Sequence, residues 1–171
     1  MNKKKKGFTI IEVLVSVGLV GIMALLMASF IFELNFSNAK TKADREALDN
    51  ARRAMDAIMY EIKGAQDVYV PTTTSSQLSL KTLRYLPTGE DSTYMDFFLC
   101  GVAVCLKKES QNPVALTADT VEVSSLQFTR ILNGSRPSVK ISMTVNYKNP
   151  DNNPANAATV TLSQAVSLRS Y

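Results

Sequence analysis

The side chain with the most pointed chemistry in this sequence is Glu12. It sits at the start of an apolar run, residues 13–32, that holds twenty residues and no charge. A carboxylate carried into a bilayer costs roughly 2.5–3.5 kcal/mol at the centre, and such groups normally have a partner. The chemistry Glu12 implies is ion pairing with a cation. The second candidate is the pair Cys100 and Cys105, which enclose Gly101, Val102, Ala103 and Val104; two thiols at that spacing can oxidise to a disulfide or stay reduced within strands. The sequence holds no histidine, so Ser-His-Asp and Cys-His nucleophiles are excluded. Without histidines or a second cysteine pair, Cys100 and Cys105 do not make a zinc site. Seven scattered glycines form no phosphate-cradling loop. Glu90 and Asp91 fall in turn-like sequence and read as solvated. Asp151, Asn152 and Asn153 carry oxygen donors of the kind calcium uses, but no further carboxylates stand at a defined spacing. The sequence therefore gives no reason to expect a catalytic residue, a cofactor or a metal site.

The element that must position Glu12 is a helix. Twenty helical residues span about 30 Å, the thickness of one hydrocarbon core. Lys3, Lys4, Lys5 and Lys6 flank it on the N-terminal side, which predicts that this end stays in the cytoplasm and the remainder crosses. A cleavable secretory signal has a shorter apolar stretch, about 7–15 residues, with a small-residue cut site after it. Here Phe30, Ile31 and Phe32 continue the apolar pattern beyond Ala28 and Ser29. A plain transmembrane anchor accounts for the hydropathy but not for Gly7, Phe8 and Glu12.

Those residues carry a resemblance. Lys6-Gly7-Phe8-Thr9-Ile10-Ile11-Glu12-Val13-Leu14 resembles the N-terminal signal of type IV pilins and type II secretion pseudopilins. The basic flank, Gly-Phe, glutamate and apolar run stand in one order over about 25 residues. The resemblance implies that a prepilin peptidase cuts after Gly7 and that Phe8 becomes an N-methylated terminus. The amine made by the cut lies one helical turn from Glu12, or near the Glu12 of a neighbouring subunit. The family implies that this contact sets the register of an incoming subunit. The competing reading is that Glu12 snorkels to the headgroups. Many major pilins have proline where this chain has Ser29, and K-type pseudopilins typically lack the glutamate. The chain is therefore most similar to minor pilins and to the J-type and W-type minor components, also in its long β region and its Ala165-Val166-Ser167-Leu168-Arg169 ending.

Beyond residue 32 the helical period persists. Ala47, Leu48, Ala51, Met55, Ile58, Met59 and Ile62 recur at three- and four-residue spacings, with charged residues between them. This predicts an amphipathic helix with one apolar stripe, aided by an Asp49–Arg53 pair and stopped at Gly64. The whole helix is expected over about 8–63, with Gly18, Gly21 and Ser29 allowing local unwinding or close helix packing. From Asp67 the pattern is β. Leu78 and Leu80 alternate with polar residues, residues 94–99 are aromatic-rich, and 102–106 return antiparallel. Val121 and Val123, then Leu126 and Phe128, read as one strand with a bulge at Ser124 and Ser125. Val139, Ile141, Met143, Val145 and Tyr147 have period two, and Val160, Leu162, Val166 and Leu168 share a face. Turns are expected at 71–76, 87–91, 133–135 and 149–154.

The expected fold class is α+β: a long N-terminal helix, membrane half plus amphipathic half, packed on a mostly antiparallel β-sheet of six or seven strands, pilin-like. Expected divisions are a cleaved leader 1–7, a transmembrane and assembly helix 8–32, an amphipathic helix 33–64 and a β-rich periplasmic or extracellular domain 65–171. Outside the cytoplasm a Cys100–Cys105 disulfide persists, contributing roughly 2 kcal/mol for so short a loop. The net charge of +4 belongs to the four leader lysines, so the rest is about neutral; Arg52, Arg53, Lys107 and Lys108 are solvated pairs, and no nucleic-acid footprint is present. The implied partners are the prepilin peptidase and N-methyltransferase, other pilin or pseudopilin subunits, an inner-membrane assembly platform, and the bilayer before assembly. The function expected is a processed filament subunit, with a membrane-tethered binding module or adhesin as the alternative.

Overall fold

A run without proline and without glycine between residues 22 and 63 lets one helix propagate far. In the computed structural model α1 runs Ile10–Gly64, fifty-five residues. Residues 7, 9–133 and 136–169 are described. The expected helix start at Phe8, Gly134 and Ser135 of the expected 133–135 turn, and the leader lysines lie outside them. The helix is continuous through Gly18, Gly21 and Ser29, so of the two alternatives, local unwinding or close helix packing, it shows no unwinding; Ser29 donates to Leu25 O at 3.0 Å. The chain divides into two units, Met1–Ala39 and Lys40–Tyr171.

In the second unit the apolar stripe of α1 is buried as its period requires. Ala43, Ala47, Ala51, Ala54, Met55, Ile58 and Ile62 are all buried, while Leu48 and Met59 are half-buried. Arg53 bonds Asn50 Oδ1 at 3.1 Å rather than pairing with Asp49. Asn50 is the departure from the stripe: it is fully buried and polar. Its side-chain amide donates to Glu46 O at 2.9 Å, and its Oδ1 also accepts from Ala118 N at 3.0 Å. It thus ties α1 to the loop entering the long strands. Asn50→Ala is expected to cost about 1–3 kcal/mol, because a buried polar network loses its centre; urea denaturation of the purified chain reads it.

Among the described residues nine strands come after the helix, two or three more than the periodicity indicated, and they form two antiparallel sheets rather than one. The first sheet has the order β1 (Asp67–Val70), β3 (Leu78–Thr82), β4 (Thr93–Cys100), β5 (Ala103–Lys108), β6 (Val114–Ala115). The second has β2 (Thr74–Ser75), β7 (Val121–Asn133), β8 (Arg136–Tyr147), β9 (Thr159–Ser167). The segment expected as a turn at 71–76 contains β2, which pairs Thr74 with Thr129 and Ser75 with Phe128. The chain changes sheets between β1 and β2, and Arg130 braces this step. Its backbone N–H donates to Thr73 O at 2.8 Å, its guanidinium to Val68 O at 3.0 Å, and Asp67 lies 3.5 Å from it.

The bulge expected at Ser124 and Ser125 is present, as a register shift between Val123 and Ser125. It keeps Val121, Val123, Leu126 and Phe128 all in the core. Val139, Ile141, Met143 and Val145 are buried from β8, with Tyr147 half-buried. Val160, Leu162, Val166 and Leu168 turn to the same side. Both sheets and α1 contribute to one buried cluster, with Phe97 and Phe128 fully enclosed.

Gly64 is the last residue of α1 and does not have the positive φ of a left-handed cap. A Cβ there would lie 2.5 Å from the Arg84 guanidinium carbon. Arg84 pairs with Glu61 at 3.2 Å and lies over the Tyr60 ring at 4.5 Å. Lys108 is also not simply solvated: its ammonium sits 3.5 Å from the Tyr85 ring centroid. In the 149–154 turn Asn149 and Asn153 bond each other, and Asn153 Oδ1 caps the 3-10 helix Pro154–Asn156 through Ala155 N. The Asn153 side-chain oxygen considered for calcium is therefore committed to local structure.

Candidate functional site

The helix start builds the site. Thr9 precedes α1, and its carbonyl accepts from Glu12 N at 3.1 Å and Val13 N at 3.2 Å. Its hydroxyl accepts from Glu12 N at 3.4 Å. Thr9-x-x-Glu12 has the spacing of a capping box, in which the side chain at N-cap serves the third helical N–H. The spacing is legible in the sequence, and the structure shows its Thr9 half, the bond from Glu12 N–H to the Thr9 hydroxyl. Glu12 also lies in the first turn, where the positive end of the helix dipole favours a carboxylate.

Gly7 and Glu12 are both exposed. Phe8 lies outside the described residues. Among the described residues the Glu12 carboxylate has no salt-bridge partner.

The helix surface beyond Glu12 is apolar and uncovered. Ile10, Leu25 and Phe32 are 82%, 71% and 76% exposed, and none of the most apolar window of α1 is buried. Monomeric soluble proteins rarely expose contiguous apolar patches of more than a few hundred Å². The helix is long and apolar enough to cross a membrane. Ser16 donates to Glu12 O at 2.8 Å, as Ser29 does to Leu25 O, so the hydroxyls of these two serines are satisfied within the helix. A Cβ at Gly18 or Gly21 would meet nothing within 4 Å, so nothing among the described residues requires glycine there.

Residues 2–28 match the family model of the prokaryotic N-terminal methylation motif. The chain carries a prepilin-type methylation motif. With the long apolar helix, it supports a type IV pilin-like family. The prepilin-type motif implies processing by a prepilin peptidase and assembly with other pilin subunits. It points to a structural subunit rather than an enzyme, and it is consistent with inner-membrane anchoring. Searches of curated proteins and of solved structures gave no match.

The cysteines lie far from this segment in sequence. β4 and β5 pair as a hairpin, with Cys100 opposite Ala103 and Phe98 opposite Cys105. Gly101 has φ +70° in the two-residue turn, the position where such hairpins need glycine. Cys100 and Cys105 are thus diagonal neighbours on one face, with Cα atoms 5.8 Å apart and the two sulfurs joined. Replacing both by serine is expected to lower stability by about 2 kcal/mol, from the entropy of a short loop. Urea denaturation with and without reductant measures it. Equal stability of the reduced, oxidised and doubly substituted forms would show that the bridge contributes nothing.

Proposed function

We propose that the chain is a minor pilin or pseudopilin. Prepilin peptidase cuts it after Gly7, Phe8 is N-methylated, and the subunit passes from the bilayer into a type IV pilus or a type II secretion pseudopilus, acting at the tip or in initiation. Before assembly residues 8–32 span the cytoplasmic membrane with the N-terminus in the cytoplasm and residues 65–171 outside, where Cys100 and Cys105 are oxidised. Glu12 takes the cation of a processed terminus.

The observation that carries this reading is the order of parts along the sequence: a basic flank, Gly7 and Phe8, then a capped helix start whose Glu12 has no salt-bridge partner among the described residues, then an uncovered apolar surface. A simple anchor needs only the last of these. The experiment is intact-mass analysis of the membrane-extracted protein, with and without an active prepilin peptidase. The expected mature mass lacks residues 1–7 and gains one methyl group. A full-length mass in both cells would sink the proposal and leave a membrane-tethered binding module as the reading.

A further inference from the structure

The outer face of the first sheet carries a groove that filament assembly through α1 does not use. Tyr69, Val70, Gln77, Ser79, Tyr94 and Asp96 line an open cavity of about 480 Å³, within the roughly 300–1,000 Å³ typical of small-molecule sites. Strand register brings these residues together. Ser79 lies opposite Asp96, and a shift between Val68 and Val70 places Val70 opposite Ser79. Alternation sends Val68, Leu78, Leu80, Met95 and Phe97 into the core and their neighbours to the other face.

The groove has two aromatic walls and a polar floor. The Tyr69 and Tyr94 rings stand 5.9 Å apart at 68°, forming a corner, and the two residues are 68% and 39% exposed. Ser79 is on the outward row yet only 6% exposed. Gln77 Nε2 donates to Ser79 Oγ at 3.2 Å, and Ser79 Oγ donates to Asp96 Oδ1. This short chain ends on a half-buried carboxylate that, among the described residues, has no salt-bridge partner. Lys107 is its cross-strand neighbour, and Lys81 is the neighbour of Tyr94.

These groups set the ligand's chemistry. The rings ask for a flat apolar face. Asp96 accepts hydrogen bonds and gives none, so it asks for donors; the Gln77 amide both donates and accepts. A bare ammonium would suit the rings and the carboxylate, but Lys81 and Lys107 border the site and oppose it. An anion meets Asp96. A neutral ligand with one C–H face and a rim of hydroxyls satisfies all of them. We propose that this groove binds a neutral pyranose unit of a glycan, its ring face on a tyrosine and adjacent hydroxyls on Asp96 and Gln77.

An array of neutral, sialylated and sulfated oligosaccharides and lysine-rich peptides, probed with the detergent-solubilised full chain, tests this. Wild type is expected to retain neutral glycans. Asp96→Asn, Tyr94→Ala and Tyr69→Ala should each weaken that binding about tenfold or more at an unchanged melting temperature, and Ser163→Ala on the second sheet should not. Three substitutions keep the test intact if one of them unfolds the domain. No retained glycan, retention of anionic glycans or lysine-rich peptides alone, or neutral-glycan binding that survives the groove substitutions would overturn the proposal. The array needs no processing by the peptidase, so its failure leaves the filament reading untouched.

Discussion

Glu12→Ala is expected to be cut after Gly7 as efficiently as wild type and yet to be depleted about tenfold or more from sheared filaments. The cut creates a positive amine at residue 8, and a carboxylate about 4 Å from it gains about 4 kcal/mol at an effective dielectric of 20. Desolvation removes much of this, but a net 1.4 kcal/mol already gives a factor of ten. The structure also provides a rival account, since Thr9 and Glu12 have capping-box spacing. The two accounts part at Glu12→Gln. Glutamine serves a capping box as glutamate does, whereas it carries no charge for the amine. Ion pairing predicts that Glu12→Gln is lost from filaments like Glu12→Ala; capping alone predicts that it assembles. Immunoblots of sheared filament and membrane fractions read both variants, and normal assembly of Glu12→Gln would end the ion-pair account.

Glu12 stands out in the sequence because a local rule, no charge in an apolar run, is broken at one position. The same kind of local rule made much of the fold legible. The burial of Met55, Ile58 and Ile62 follows from helical period alone, and that of Val139, Ile141, Met143 and Val145 from period two. The bulge near Ser124 was readable because a bulge is the cheapest way to keep Val123 and Leu126 on one face. What was not legible depends on partners distant in sequence. Thr74 and Ser75 look like turn residues until β7, more than fifty residues on, supplies a strand to pair with. Asn50 looks like a surface residue until Ala118 arrives to bond it. The split into two sheets follows from such pairings, which no period encodes. The groove of Tyr69, Ser79, Tyr94 and Asp96 is of the same kind: three strands contribute, and only register makes them neighbours. For Glu12 the sequence shows a charge without a partner, and on the proposed reading the partner is the amine of a processed terminus, in the same chain or in another molecule.

Phe128→Ala is expected to destabilise the domain by about 3–5 kcal/mol, the cost of deleting a fully buried ring and leaving a cavity. Phe128 lies opposite Ile141 on β8 and Ser75 on β2, at the centre of the second sheet. Phe97 occupies the corresponding place in the first, opposite Leu78 and Leu106. Both belong to one cluster with Met55 and Ile58 of α1. A core shared in this way cannot lose one wall alone, because each sheet's inner face would then be opened to water at about 25 cal/mol per Å² of apolar surface. With domain stabilities of about 5–15 kcal/mol, the deletion removes a large share of the total and should move the unfolding of both sheets together. The chain reports this without a label. It has no tryptophan, so tyrosine dominates its emission, and in a Tyr147→Phe background, which removes the tyrosine of β8, Tyr69, Tyr85 and Tyr94 on or beside the first sheet report on that sheet. In urea, Phe128→Ala should shift the tyrosine transition to lower denaturant by the same amount as the loss of β-structure seen by circular dichroism. A tyrosine transition that stays at its wild-type midpoint would mean that the two sheets unfold independently and that the shared core does not couple them.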